Sequence, residues 1–243
     1  MYAGTTIRDG SGRFIGVHQK IDRVARRNIK PILPDWCDFP DIKNILHFEG
    51  KNGPDGVKRK SPAVDEPGHF INPDDPNDTA LLEMIDGHIG NLARALRTNN
   101  SERAAFEAAW MAHAITDGLT PAHHFPLEQA MAELRGGEGL ETRTSILKKN
   151  LMKGDNGIEL IKNNWKFWGA KGMMTTHVAF EAGVASVVAY PRFKDAIPSD
   201  DEILQVKNHG YREYYLDQVH AVASMKMYDN FSKSGWTTDL ARQ

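Results

Sequence analysis

Residues 113–123 read His113-Ala114-Ile115-Thr116-Asp117-Gly118-Leu119-Thr120-Pro121-Ala122-His123. His113 and Asp117 are four residues apart, so on a helix they share one face, one turn apart. Gly118 and Pro121 end that helix and turn the chain, which lets His123 fold back toward the same point. A carboxylate between two imidazoles is a sensible way to hold two divalent ions that share the carboxylate. The alternative is a polar helix end with solvent-exposed histidines.

Working outward, the helix that ends in this motif begins at Ser101, a favoured N-cap, and carries Phe106, Trp110 and Ile115. Residues 79–98 place Leu81, Leu82, Ile85, Ile89, Leu92 and Leu96 at helical spacing, with Asp78 as the expected cap. Residues 13–28 set Phe14, Ile15, His18, Ile21, Val24 and Ala25 on one stripe, and Pro31 and Pro34 end that helix. Shorter helices are predicted over 126–134 and 144–151 around the turn Arg135–Gly139. Longer ones follow over 157–189, broken at Gly169 and Gly172, and over 200–232. Strand signals are scarce. The fold class is therefore all-α, a single multi-helix domain over residues 1–243. Residues 35–77, rich in Pro, Gly and Asp, read as a long ordered loop region with one short helix over 42–47. Lys58-Arg59-Lys60 reads as part of a solvated loop, not as a nucleic-acid patch.

Composition narrows the chemistry. The chain of 243 residues has a formal net charge of −2, so nothing global points to nucleic acid or an anionic surface. Cys37 is the one cysteine, which excludes an internal disulfide and a Cys-rich zinc site. Any metal must be held by His and carboxylates. The N-terminus has no basic segment followed by an apolar run, which predicts a cytoplasmic protein, or a secreted one if the chain is a processed form.

Three further features can bear ligands. His69 sits in Pro67-Gly68-His69-Phe70, followed by Asn72-Pro73-Asp74-Asp75, with no amphipathic period to explain it as core. Asp55 lies upstream in Gly-Pro-Asp-Gly, where it reads equally as a turn former. His18 lies on the inner stripe of the first helix, where a satisfied core histidine is the alternative. His177 and Glu181 are again four apart on a helix, either a metal-binding pair or a solvated one.

The order and spacing of these motifs resemble the zinc-dependent phospholipase C and S1/P1 nuclease family. The matching positions are His18, Asp55, His69, His113, Asp117, His123, His177 and Glu181, spread over about residues 14–181. The resemblance implies the helical fold of that family, with the loop region beside the metal site. It implies two or three zinc ions: one held by His69, His113 and Asp55, one near His18 with Asp117 bridging, one held by His123, His177 and Glu181. Asp55 and Asp117 are the implied catalytic carboxylates. Metal-activated water would hydrolyse a phosphate ester, either a phospholipid head group or a nucleotide, with transient membrane-surface contact and no stable nucleic-acid partner. The chain departs from the family in beginning Met-Tyr, with no Trp before Trp36, and in a longer stretch between His123 and His177. The third site would then be completed by water or another group.

Other readings are weighed on residues. An HD-type phosphohydrolase needs an adjacent His-Asp pair, and none occurs. A di-iron bundle wants Glu-x-x-His on helices, and Glu66-Pro-Gly-His69 cannot be helical. A single-strand nuclease needs aromatic stacking surfaces. Trp165, Phe167, Trp168 and Tyr190 could supply them, although aromatics at helical spacing are expected in the core. A non-catalytic, zinc-stabilised binding protein is the remaining alternative. Second contacts to the histidines are sought among Asp65, Glu66, Asp74 and Asp75, and His88 is expected to be structural.

Overall fold

The computed structural model describes residues 16–63, 68–193 and 196–243, and among them there is no strand. The helices are α1 (Val17–Ile29), α2 (Ile42–His47), α3 (Pro54–Lys60), α4 (Ala80–Arg97), α5 (Ser101–Gly118), α6 (Leu127–Leu134) and α7 (Ile146–Asn150). They continue as α8 (Gly157–Trp168), α9 (Met173–Val188), α10 (Asp200–His209), α11 (Tyr211–Ser224), α12 (Met227–Ser234) and α13 (Thr238–Arg242). None is long and apolar enough to cross a membrane.

The central unit is the hairpin of α4 and α5. Its turn passes through Asn99 in the left-handed region, φ 54°, which Asn tolerates. The cap of α5 is Asn100, whose side chain accepts from the Arg103 N–H, so the predicted cap Ser101 is instead the first helical residue. Asp78 does not cap α4 either; its carboxylate accepts from the Asn72 N–H at 2.8 Å and closes the preceding loop. One face of α5 is built of alanines, Ala104, Ala105, Ala108 and Ala109, which let Ile45 of α2 and Leu92 of α4 pack closely. A second cluster joins Leu81, Leu82 and Ile85 of α4 to Ala114 of α5 and to Tyr215 and Val219 of α11. Burying such side chains stabilises by about 1.5–3 kcal/mol each. His88 faces the buried Glu107 at 2.5 Å, within this packing.

Four expectations are corrected. Residues 54–60 form α3 rather than loop, because Pro54 at the first helical position needs no N–H partner and extended Gly53 precedes it. Asp55 stands in its first turn, and Lys58, Arg59 and Lys60 in its last, where basic charge suits the helix dipole. The expected helix over 200–232 is three helices, interrupted at Gly210, φ 83°, and at Lys226, φ 52°. The stripe assigned to α1 is inner only in part: His18 is buried, but the other buried residues are Val17, Gln19 and Asp22, while Ile21 and Val24 are half-buried and Ala25 is exposed. Ile21, Val24 and Ala25 line an open apolar cavity of about 410 Å³ with Val184 and Val188 of α9. The polar face turns inward because it carries groups that meet partners there. Phe14, Ile15, Asp65 and Glu66 lie outside the described residues.

Candidate metal centre

The structure brings the eight ligands expected from the sequence into one region, around Asp117 and around Glu181. Asp117 is fully buried at the end of α5, and four imidazoles surround its carboxylate. His18 Nε2 stands 3.2 Å from Oδ1. His113 Nε2 stands 3.1 Å, His69 Nδ1 3.5 Å and His123 Nδ1 3.8 Å from Oδ2. The rings of His18 and His113 are stacked, 3.8 Å apart and 3° from parallel. Asp55 from α3 brings Oδ1 to 3.9 Å from His113 Nε2. His177 and Glu181 stand on one face of α9, with Glu181 Oε1 3.1 Å from His177 Nε2 and 3.0 Å from His123 Nε2.

The return from α5 to His123 is built by short contacts. Thr120 donates its hydroxyl to Thr116 O at 2.8 Å, and Pro121 opens a 3₁₀ turn over Pro121–His124. His124, the adjacent imidazole, turns away and donates Nε2–H to Gly118 O at 2.8 Å. Phe70 anchors the loop of His69. Its ring lies 4.8 Å from that of His123, nearly parallel, and its far side joins the cluster of Leu127, Met131, Met152 and Phe167.

The residues fall into three groups able to hold a metal ion: His18, His113 and Asp117; Asp55, His69 and His113; His123, His177 and Glu181. The protonation pattern favours a cation. His113 Nδ1 faces both oxygens of the buried Glu49 at 3.3 Å and donates there, which leaves Nε2, 3.1 Å from Asp117 Oδ2, as the ring atom a metal would take in place of a proton. His123 Nδ1–H donates to His69 O at 2.8 Å, so its Nε2 lone pair faces Glu181 Oε1 across 3.0 Å. Burial holds His123 below the ordinary histidine range, so a second ring proton does not bridge that contact at neutral pH. A lone pair facing a carboxylate is repulsive unless a cation joins them. The edge of a tetrahedron with bonds of ~2.0 Å, as at zinc, is about 3.3 Å, close to these contacts.

Charge is balanced locally. Burial alone would raise Asp117, but His123, His113 and His18 hold it well below the carboxylate range. Glu181 follows the same pattern, burial opposed by His177 and His123. Burial works against charging His113, and Asp117 and Glu49 overcome it, so its pKa is well raised. Burial, then Glu49, push Asp22 well up.

Two features were missed in the sequence. Glu49 had no signal, being a lone acid after a short helix. Asp22 did: His18 and Asp22 repeat the four-residue spacing of His113–Asp117 and His177–Glu181. Asp74 is an exposed loop acid, and exposed Asp75 accepts from the Asn77 N–H at 2.9 Å. Neither stands among the metal-holding groups. Trp165, Trp168 and Tyr190 are exposed, and of the four aromatics set aside as core only Phe167 is buried.

Lys58 complicates His69. Its Nζ stands 3.0 Å from His69 Nε2. If Nε2 is to bind a metal, the ammonium must leave; if Nδ1 is to bind, Nε2 carries the hydrogen and faces the ammonium. Burial and Lys58 both hold His69 well below the usual histidine range. A cavity of about 450 Å³ opens beside this pair, walled by Lys58, His69, Phe70 and Asn72 among others, and of the eight expected ligands only His69 reaches it. No family model matches the chain, and neither the curated proteins nor the solved structures compared with it hold a match.

Proposed function

We propose that this chain is a zinc-dependent phosphoesterase of the phospholipase C and P1 nuclease type. One observation carries the reading: the eight residues of the motif pattern, drawn from α1, α3, α5, α9 and two loops, form three donor groups, two of them sharing His113 and the third meeting Asp117 through His123. When bound in such groups, zinc polarises phosphoryl oxygens and lowers the pKa of water from ~16 toward ~7. Asp117 would hold two sites together, because Oδ1 faces His18 while Oδ2 faces His69 of the neighbouring group. Asp55 keeps 27% side-chain exposure, so it is the carboxylate of that cluster best placed to take a proton from water. Phe70 and the buried apolar wall behind it exclude water from the His123 side. The cavity beside Lys58 and His69 is the site proposed for the ester, with Lys58 leaving His69 for the phosphate oxygens.

The test is hydrolysis of bis(p-nitrophenyl) phosphate before and after chelation, then after zinc is restored. The expected result is activity that chelation abolishes and zinc recovers. Absence of activity in fully zinc-loaded protein would favour the non-catalytic, zinc-stabilised reading. The exposed rings of Trp165 and Trp168 give the nuclease reading an observation of its own, so a single-stranded oligonucleotide belongs beside phosphatidylcholine as a second substrate.

A further inference from the structure

The stretch between His123 and His177 folds as α6, α7 and α8, and its inner side is firmly fastened. Phe167 and Met152 are buried with Leu127 and Met131. The Asn164 side chain bonds the Met152 backbone at both its N–H, 3.0 Å, and its carbonyl, 2.9 Å. Arg135 donates to Lys148 O and Leu151 O at 3.0 and 2.7 Å. The outer side is a held surface, not a loose strand of chain.

That outer side is apolar. Ile158, Ile161, Trp165 and Trp168 follow one face of α8 and are 82%, 71%, 70% and 46% exposed. Trp168 donates its indole N–H to Asn150 O at 2.8 Å, which ties α8 to the end of α7. There Leu147 and Leu151 are also exposed. Lys162 and Lys166 flank the apolar face on α8, and Lys171 follows it; none is paired among the described residues. Residues 144–172 hold six lysines against two acids in a chain whose net charge is −2.

We propose that this face of α7 and α8 binds the surface of an anionic lipid bilayer. Contiguous exposed apolar side chains mark an interaction site. Tryptophan and aliphatic residues on one face with lysines at its margin suit the boundary between headgroups and acyl chains. The lysines complement lipid phosphate. A second copy of the chain on a two-fold axis would set Lys162 and Lys166 against their own kind. A nucleic-acid strand would use the two indoles and leave Ile158, Ile161 and Leu147 in water. The surface adjoins the metal groups: Lys149 bonds the carbonyls of Lys58 and Ser61 at the end of α3, and α8 leads through Gly169–Gly172 into α9 with His177 and Glu181. The inference goes beyond phosphoester hydrolysis and stands or falls separately from it.

Flotation with vesicles, in chelator so that no hydrolysis occurs, tests it. Vesicles of phosphatidylglycerol and phosphatidylcholine should carry the protein, less so as salt rises, and phosphatidylcholine alone should carry little. The double variant Ile161→Ser, Trp165→Ser should lose about tenfold or more in binding. Lys162→Gln and Lys166→Gln should each cost about fivefold. These side chains are exposed, so all three variants should keep their helical circular dichroism. Unchanged binding in the variants, or none to anionic vesicles, overturns the proposal. So does a dimer that Ile161→Ser, Trp165→Ser abolishes, or tighter binding of a single-stranded oligonucleotide than of vesicles. Vesicle binding without phosphodiester hydrolysis would keep the surface and remove only the enzymatic reading.

Discussion

At the scale of the residue, hydrogen positions decide more than distances. His113 can offer Nε2 to a metal because Glu49 takes the hydrogen on Nδ1. Replacing Glu49 by Gln removes the charge that raises the basicity of His113. Zinc affinity should fall by about tenfold or more, read by competition with a chromogenic chelator. Lys58 acts in the opposite sense, since its ammonium contends with a metal for His69. Lys58→Met should therefore tighten the weakest-bound zinc by several-fold in the same titration, and looser binding would show that Lys58 supports the site. The sequence made the imidazoles legible through their spacing. It hid Glu49, whose role depends on a contact spanning 64 positions of chain, and it hid Lys58, which reaches His69 only because residues 54–60 are helical.

At the scale of the element, the end of α5 is the critical joint. Gly118 leaves room for Tyr215: a Cβ there would come within 2.0 Å of the Tyr215 hydroxyl and 2.6 Å of Leu81. That hydroxyl donates to Ile115 O at 3.1 Å. Gly118→Ala should therefore displace Tyr215 beside Asp117 and destabilise the protein by about 1–3 kcal/mol, measurable by urea unfolding. The helices of the central hairpin, and the break between α8 and α9, were legible because apolar periodicity and glycine punctuation agree there. The break at Lys226 was not, because a non-glycine residue in the left-handed region leaves no compositional mark. In α1 periodicity placed His18 inward correctly but not Ile21, Val24 and Ala25, which face a cavity, while polar Gln19 and Asp22 are buried in their place.

At the scale of the molecule, the fold encloses a cluster of imidazoles and carboxylates able to hold metal ions, and this governs its response to pH. His69 and His123 are held below ~6.5 in the fold, so on acidification the unfolded chain takes up their protons first. Their contribution to stability declines as the pH falls below ~6.5. His113 is raised and acts oppositely: its contribution is complete below ~6.5 and is lost as the pH rises through its folded value. Asp117 and Glu181 are depressed, so their contribution is present above about 4 and is lost as the pH falls toward their folded values. The depressed histidines, His124 among them, drive the fall; the His113 contribution is already complete below ~6.5, and raised Asp22 works the other way. The melting temperature of the metal-free protein should drop from pH 7 to pH 5 and again below pH 4, whereas a rise on acidification from pH 7 to pH 5 would contradict this balance.

The central claim is that Asp117 joins two metal positions, and metal content by mass spectrometry tests it most directly. The purified chain, loaded with zinc and freed of excess, should hold two or three ions, and Asp117→Asn should lose two of them, with hydrolysis falling by a thousandfold or more, about 4 kcal/mol in the barrier. An Asp117→Asn protein that keeps the full metal content, or a native chain that holds fewer than one ion, would contradict the account.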